Sequence, residues 1–310
     1  MSHLFGPVPS RRLGLSLGVD LIPPKTCTFD CLYCEVGRTT HLTGKRRAYR
    51  VAEIIGELTD YLQSPPGPLD YVTLAGSGEP TLNLGLGDIL TAVKHLTQTP
   101  VAILTNGSLF HLPEVRAAAA GADVILPSLD AGREQTFQRL NRPHPGLSLD
   151  LLVSGLKALR REFAGRIWLE IMVLKGINDN QEELTAIKGL LRELAPDKVH
   201  LNTAVRPVAD GCAQALSQED MEAVADFLGD GVEVVAAARR ISPERLTVRD
   251  REVIEMLARR PMTARDLAQA LGAPLAQVRE RLGRLLKSGL VRRDVHQDQD
   301  FYRSLVTSSS

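Results

Sequence analysis

The sequence predicts an α/β fold, with βα units laid around a parallel sheet, followed by a small winged helix-turn-helix domain. The first part rests on β-branched apolar runs that alternate with stretches of helical period about six times over the first ~240 residues. The second part rests on a change near residue 241. There the buried-strand pattern stops and arginine becomes frequent.

Strands are expected at residues 15–22, 70–75, 101–105, 123–129, 167–174, 198–203 and 232–235. Between them, Val51, Ile54, Ile55, Leu58 and Leu62 recur at helical spacing. Leu151, Leu152, Leu156 and Leu159 do the same, as do Leu184, Ile187, Leu190 and Leu191. Seven strands suit an open doubly wound sheet or a barrel, and periodicity alone does not choose between them. Further on, Thr247 is placed to cap a helix running through Arg260, with Asp250 at its third position, and Pro261 stops it. Thr263 with Asp266 repeats the capping signal, and Gly272 ends that short helix. Pro274 opens a third helix with Leu275, Val278, Leu282, Leu285 and Leu286 on its apolar face, closed by Gly289. Residues 290–295 and 301–305 flank a polar stretch and read as a hairpin. The expected boundaries are a core over 1–238, a winged helix over 241–306 and a frayed tail over 307–310.

Thirty-seven basic residues balance 37 acidic ones, with 44% hydrophobic and 24% charged residues over 310 positions. That composition excludes a mainly disordered chain, a collagen-like repeat and a chain-wide polybasic nucleic-acid binder. The apolar runs fall far short of the roughly 20 residues that a membrane span needs. The N-terminus lacks a charged-then-apolar leader pattern, so a cytoplasmic protein without membrane association is expected.

Three of the four cysteines fall within eight residues, as Cys27-Thr28-Phe29-Asp30-Cys31-Leu32-Tyr33-Cys34. They follow the first expected strand and Pro23-Pro24, on a loop at that strand's C-terminal end. Open α/β sheets and barrels place ligands there. Three closely spaced thiolates suit three irons of a four-iron cluster and leave the fourth without a protein thiolate. A zinc site would need Cys212 or a distant histidine as fourth ligand, and no second cysteine pair exists. Inert buried cysteines have no reason to crowd in this way.

The C-x₃-C-x₂-C spacing, with an aromatic residue just before the last cysteine, resembles the radical S-adenosylmethionine (radical SAM) superfamily. Phe5-Gly6-Pro7-Val8-Pro9-Ser10-Arg11-Arg12-Leu13-Gly14, together with the cysteine loop, is similar to a group related to wyosine-tRNA synthases. The resemblance covers roughly residues 5–235. It implies a partial (βα)6 TIM-type barrel in which Cys27, Cys31 and Cys34 ligate a 4Fe-4S cluster. It also implies S-adenosylmethionine on the open iron, with Tyr33 near the adenine. One electron would cleave the sulfonium to a 5′-deoxyadenosyl radical, which would abstract hydrogen from a substrate. An external one-electron donor, of the flavodoxin or ferredoxin kind, is implied as well. With Cys212 as the one spare, no second all-cysteine cluster can be built.

Polar residues end several expected strands. In Gly76-Ser77-Gly78-Glu79-Pro80 the glycines let the backbone approach a ligand, and Glu79 offers a carboxylate to an ammonium. The resemblance gives this stretch the methionine amino group, with Ser77 replacing the second glycine of the commonest form. Asn106, in Leu104-Thr105-Asn106-Gly107, is part of a plain turn or part of the cofactor site. Ser128 and Asp130, in Pro127-Ser128-Leu129-Asp130, resemble the family's Ser-Leu-Asp stretch near the cofactor. Asn178, in Lys175-Gly176-Ile177-Asn178-Asp179, resembles its Lys-Gly-x-Asn stretch, and Asp179 equally reads as the cap of the next helix. Asn202-Thr203 and Arg206-Pro207 end the sixth strand. Arg11 and Arg12 suit a phosphate or carboxylate, or a solvated surface. His144 faces substrate or solvent, and Cys212 reads as a bystander.

The C-terminal region carries 13 basic residues against 9 acidic ones. Its third helix exposes Gln277, Arg279, Glu280, Arg281, Arg284 and Lys287, a pattern suited to RNA or DNA, a protein partner or a structural role. The leading expectation is therefore a radical SAM enzyme whose unidentified substrate includes an RNA base among its candidates. The alternative is an iron–sulfur redox sensor that binds DNA.

Overall fold

The computed structural model describes residues 2–65, 67–235 and 250–306. The chain opens with β1 (Leu4–Ser10), β2 (Gly14–Asp20), the short β3 (Thr26–Cys27) and β4 (His41–Leu42), and α1 (Val51–Gln63). Then come β5 (Tyr71–Ala75), α2 (Leu86–Leu96), β6 (Val101–Thr105), α3 (Pro113–Ala119), β7 (Val124–Pro127), α4 (Glu134–Asn141) and α5 (Leu149–Glu162). The core ends with β8 (Arg166–Met172), α6 (Gln181–Leu194), β9 (Lys198–Asn202), α7 (Gln218–Leu228) and β10 (Val232–Val234).

The large sheet runs β1-β2-β5-β6-β7-β8-β9-β10. All neighbours are parallel except β1, which runs antiparallel to β2. From β2 onward the spatial order follows the chain order with no reversal. A doubly wound sheet reverses at a switch point, so this is barrel winding, left open because β1 and β10 are its two ends. The partial (βα)6 barrel is therefore the architecture.

Alternation along each strand divides two apolar layers. Leu17, Val19, Val72, Leu74, Val101, Ile103, Ile125, Leu169, Ile171 and Leu201 turn outward onto the helices and form the main core. Leu13, Ala102, Val124, Leu126 and Trp168 form a separate inner cluster. Polar side chains share this inner face. Ser16 bonds to Thr73, Arg12 pairs with Glu170, and Trp168 meets His200 edge-on with centroids 5.6 Å apart. The helices turn the expected stripes inward, buried or half-buried, with one exception. Leu151 lies 37% exposed because it cannot share a face with its neighbour Leu152.

The C-terminal domain comprises α8 (Asp250–Arg259), β11 (Met262–Thr263), α9 (Ala264–Ala270), α10 (Leu275–Lys287), β12 (Val291–His296) and β13 (Gln299–Ser304). The Thr263–Asp266 capping box is formed at both bonds. Gly272 and Gly289 take φ of 56° and 69° just past α9 and α10, where glycine adopts the left-handed turn without strain. The hairpin turns on Gln297 and Asp298, both at positive φ, so it is tighter than the polar stretch implied. β11 adds a third strand to this sheet. The Thr247 cap, the expected boundary over 238–241 and the tail over 307–310 lie outside the described residues.

β1 was not expected. Gly6, Pro7 and Pro9 give it the composition of a turn, yet an edge strand tolerates proline because one side needs no donors. Its pairing with β2 shifts register between Phe5 and Val8. Gly18 on β2 is required beneath it, since a Cβ there would strike the Phe5 ring. On its other side β1 packs on the C-terminal domain, whose core includes Val8 together with Val253, Leu257, Leu267 and Leu282. Arg259 of α8 pairs with Asp20 at 2.8 Å, bonds to the Ser2 carbonyl at 2.9 Å and stacks over Phe5 at 4.7 Å.

Candidate metal-cluster site

The cysteine loop leaves β2 at the C-terminal mouth of the barrel and is stitched to the ends of several elements. Glu79 N–H donates to the Thr26 carbonyl at 3.0 Å, and Lys25 N–H to the Ser77 carbonyl at 2.6 Å. His144 N–H donates to the Thr28 carbonyl at 2.8 Å, Leu32 N–H to the Leu140 carbonyl at 3.0 Å, and Asp210 N–H to the Leu32 carbonyl at 3.0 Å. Phe29 and Leu32 are buried, and Phe29 meets Phe137 edge-on with centroids 5.4 Å apart. A loop fixed at so many points can present its side chains without reorganising.

The thiols of Cys27, Cys31 and Cys34 are half-buried and free of disulfides. Burial pushes the Cys27 thiol up to about 12, with the Glu79 carboxylate adding to it. Burial, then Cys27 and Asp130, push Cys31 well above the ordinary thiol value, and burial raises Cys34. Such thiols stay protonated unless a cation takes the charge, and metal coordination deprotonates a thiol outright. N–H donors already face the sulfurs. Phe29 N lies 3.4 Å from Cys27 Sγ, Asn106 Nδ2 lies 3.6 Å from Cys27 Sγ, and Asn141 Nδ2 lies 3.6 Å from Cys31 Sγ. Backbone N–H groups of Val36 and Gly37 work against the burial of Cys34 and lower its thiol. Donors of this kind stabilise cluster thiolates and tune their potential. Among the described residues no group of three or more His, Cys, Asp or Glu side chains is gathered closely enough for a single metal ion. A cluster, which takes one thiolate per iron, has no need of that closeness. The donor set therefore fits a 4Fe-4S cluster.

The strand-end residues divide by what their polar atoms already do. Glu79 is fully buried; its Oε1 accepts from Thr81 N at 3.0 Å, Thr81 Oγ1 at 2.5 Å and Thr105 Oγ1 at 2.6 Å, which fills it. Its Oε2 accepts only from Asn106 N, at 2.7 Å, and keeps a free lone pair. Burial raises the Glu79 carboxyl against these four donors. The glycines beside it let the turn pack closely against the chain: a Cβ at Gly78 would strike the Thr26 carbonyl oxygen. At Gly76 a Cβ would come within 2.7 Å of Ile22 Cγ2. Asn106 binds Thr28 Oγ1 at 2.7 Å as well as facing Cys27.

Asp130 is buried and joins three elements. It accepts from the Tyr33 hydroxyl, from Asn141 Nδ2 at 2.9 Å and from Met172 N at 2.8 Å. Burial raises its carboxyl against those donors. Asn178 is fully buried and its amide is spent on backbone. It donates to the carbonyls of Asp130 and Met172 at 2.8 and 2.7 Å and accepts from Leu174 N at 2.8 Å. The helix cap nearby is Asn180, not Asp179, which accepts instead from Gly176 N at 2.9 Å. Ser128 is half-buried at the mouth, and its hydroxyl has no bond to a described residue. Asn202 Oδ1, at the end of β9, is buried with no partner.

Residue reasoning missed Asn141 and Glu35. Asn141 ends α4, and nothing in the sequence links it to Cys31. Glu35 directly follows Cys34 and pairs with Arg206 at 3.1 Å. Burial alone raises its carboxyl, but Arg206, Arg260 and Arg11 outweigh that and hold it at about 2. Arg12 turns inward to Glu170 rather than to solvent. His144 is tied to the loop through its backbone. Cys212 is exposed and hydrogen-bonded to Asp210, which raises its thiol. No helix among the described residues is long and apolar enough to cross a membrane.

Residues 21–186 match the family model described as Radical SAM superfamily, and residues 251–294 match one described as Helix-turn-helix domain. A protein of Brachyspira hyodysenteriae named "GTPase Obg" is 38% identical over 298 residues, covering 94% of this chain and 44% of that protein. A UPF0026 protein of Methanocaldococcus jannaschii is 37% identical over 218 residues, covering 68% of this chain and 66% of that protein. The chain thus spans less than two thirds of the length of either relative. Among solved structures, a radical SAM methyltransferase from Sphaerobacter thermophilus superposes with a TM-score of 0.53 at 19% identity, over 71% of this chain and 66% of that one, a likeness of fold.

Proposed function

The chain belongs to the radical SAM superfamily, and on that premise we propose that it uses a 4Fe-4S cluster and S-adenosylmethionine to take a hydrogen atom from a substrate. The observation that carries this reading is the cysteine loop. It holds three thiols, each with an N–H donor nearby, at the mouth of a singly wound parallel barrel. When bound, the cluster and S-adenosylmethionine supply a 5′-deoxyadenosyl radical.

The chain's own residues bind, orient and exclude water. Cys27, Cys31 and Cys34 would hold three irons of the cluster. Glu79 offers its remaining Oε2 lone pair to the methionine ammonium, and Ser128 and Asn202 offer unspent polar atoms to the rest of the nucleotide. Tyr33, Asp130, Asn106 and Asn178 position the loop and the strand ends. Gly76 and Gly78 let the turn lie against the loop. The C-terminal domain packs over the open edge and shields the inner face, as radical chemistry requires. A sensor would need none of these strand-end arrangements. The single electron comes from an external donor, of the flavodoxin or ferredoxin kind.

The finer reading places the chain beside wyosine-tRNA synthase-like enzymes, with an RNA base as substrate. What supports it is residues 5–14 and the exposed Arg279, Arg284 and Lys287 of α10. RNA binding with a steep salt slope tests that part. The main reading is tested by anaerobic reconstitution with iron, sulfide and reductant. Release of 5′-deoxyadenosine is expected, with deuterium passing into it from the true substrate. A reconstituted cluster that binds no S-adenosylmethionine and releases no 5′-deoxyadenosine overturns it.

A further inference from the structure

Between the barrel's open edge and the C-terminal domain lies a cavity of about 190 Å³. One water needs only ~10–15 Å³, so the space admits a small molecule. Its walls come from both domains: Arg11 and Arg12 from the turn after β1, Glu35 beside the cysteine loop, Arg206 after β9, and Arg259 and Arg260 at the end of α8. Thr73, Ala75, Gly76 and Ser77 continue the wall to the strand end below the cluster loop.

The charges here do not balance. Arg259 is matched by Asp20 at 2.8 Å, and Arg12 by Glu170. Arg206 is matched twice, by Glu35 at 3.1 Å and Asp266 at 3.8 Å. Arg11 and Arg260 make no ion pair or hydrogen bond to any described residue, yet both line the cavity. Arg12 Nε is also buried and without a partner. Burial lowers both free guanidiniums, Arg260 to about 10, and the repulsion of Arg206 is the next cause for each. Glu35 attracts both without bonding to either, so two buried cations share a carboxylate that Arg206 already holds, an arrangement that leaves them undercompensated. Three guanidiniums facing one space are matched to a planar or tetrahedral oxyanion.

We propose that this chamber binds the oxyanion group, phosphate or carboxylate, of a small anionic substrate through Arg11, Arg206 and Arg260, so that the helix-turn-helix domain serves as a wall of the substrate chamber. This rests on the enzymatic reading above and names the class of its substrate. The substrate enters an inner space that continues to the strand ends beneath the cluster. Arg260 comes from a different domain than Arg11 and Arg206, so anion binding also holds the two domains together.

The test uses the full chain, reconstituted anaerobically without reductant. Its thermal midpoint is followed against inorganic phosphate and, separately, succinate, with chloride keeping ionic strength constant. A saturable rise with one of them is expected, and which one identifies a phosphorylated or a carboxylic substrate. Arg260→Gln and Arg11→Gln should each raise the half-saturating concentration at least tenfold. Their midpoints without anion should stay close to that of the unchanged chain, because relief of the repulsion from Arg206 is offset by loss of the attraction to Glu35. Saturating S-adenosylmethionine should leave the anion response in place. Three results would each overturn the proposal: no response beyond chloride, unchanged half-saturation in both variants, or loss of the response on adding S-adenosylmethionine, which would assign the arginines to that cofactor's own carboxylate. Anion binding requires no turnover, so failure to release 5′-deoxyadenosine would sink the enzymatic reading and leave this measurement standing.

Discussion

The mouth of the barrel and the chamber beside it are built on opposite principles. At the mouth, buried polar groups are largely answered from within the chain. Glu79 takes four donors, Asp130 takes three, and Asn178 makes three bonds to backbone. In the chamber, Arg11 and Arg260 make no hydrogen bond or ion pair among the described residues and share the attraction of Glu35 with Arg206. The difference separates two tasks. A frame for an invariant cofactor is best made rigid and self-satisfied, whereas a pocket for a substrate must leave its strongest groups unspent until the substrate arrives.

The most drastic way to break the contrast is at the mouth. Cys31→Ala should abolish 5′-deoxyadenosine release and lower bound iron after reconstitution, while Cys212→Ala, on an exposed loop thiol, should leave both unchanged. Retained iron and release in Cys31→Ala would end the cluster assignment. Next in size is Glu79→Ala. It strands four buried donors at ~1–3 kcal/mol each, so the loss of stability should reach at least about 3 kcal/mol in denaturant titration. A loss below 1 kcal/mol would show that water answers those donors and that the mouth is less self-contained than its geometry implies.

A smaller effect is expected on the chamber side. Arg259→Ala removes a half-buried ion pair, two backbone bonds and the Phe5 stack, and should destabilise domain docking by about 2 kcal/mol. A lower thermal midpoint is the readout. The smallest effect concerns pH. Burial alone raises the Glu57 carboxyl, but Ser2 and His3 donors hold it below its ordinary value. A depressed folded value means that its contribution is present above the unfolded value, 4.5, and is lost as pH falls through the folded one. The difference in melting midpoint between the unchanged chain and Glu57→Gln should therefore shrink below about pH 4.

The same divide explains what the sequence could tell. All seven parallel strands were legible, because they are apolar runs, most of them β-branched, that alternate with stretches of helical period. The Cys27–Cys34 loop was legible because its ligands are neighbours in the chain. The Thr263–Asp266 cap was legible because it is a local bond pattern. β1 was hidden by Gly6, Pro7 and Pro9, whose turn character is overridden only by the edge position they occupy. The polar lattice of the mouth was half visible. Asp130 and Asn178 stood at strand ends, but their partner Asn141 had no signal. The chamber was visible only in Arg11 and Arg12, which suited an anion by residue type, since Arg206, Arg260 and Glu35 are brought to them only by folding.

β1 belongs to two hydrophobic cores, one edge laced to β2 and Val8 sunk among the helices of the other domain. A strand shared in this way denies the molecule modularity. The C-terminal unit cannot be cut away, transplanted or exchanged for a relative's without laying bare Phe5 and Val8. The two halves should therefore melt in one transition.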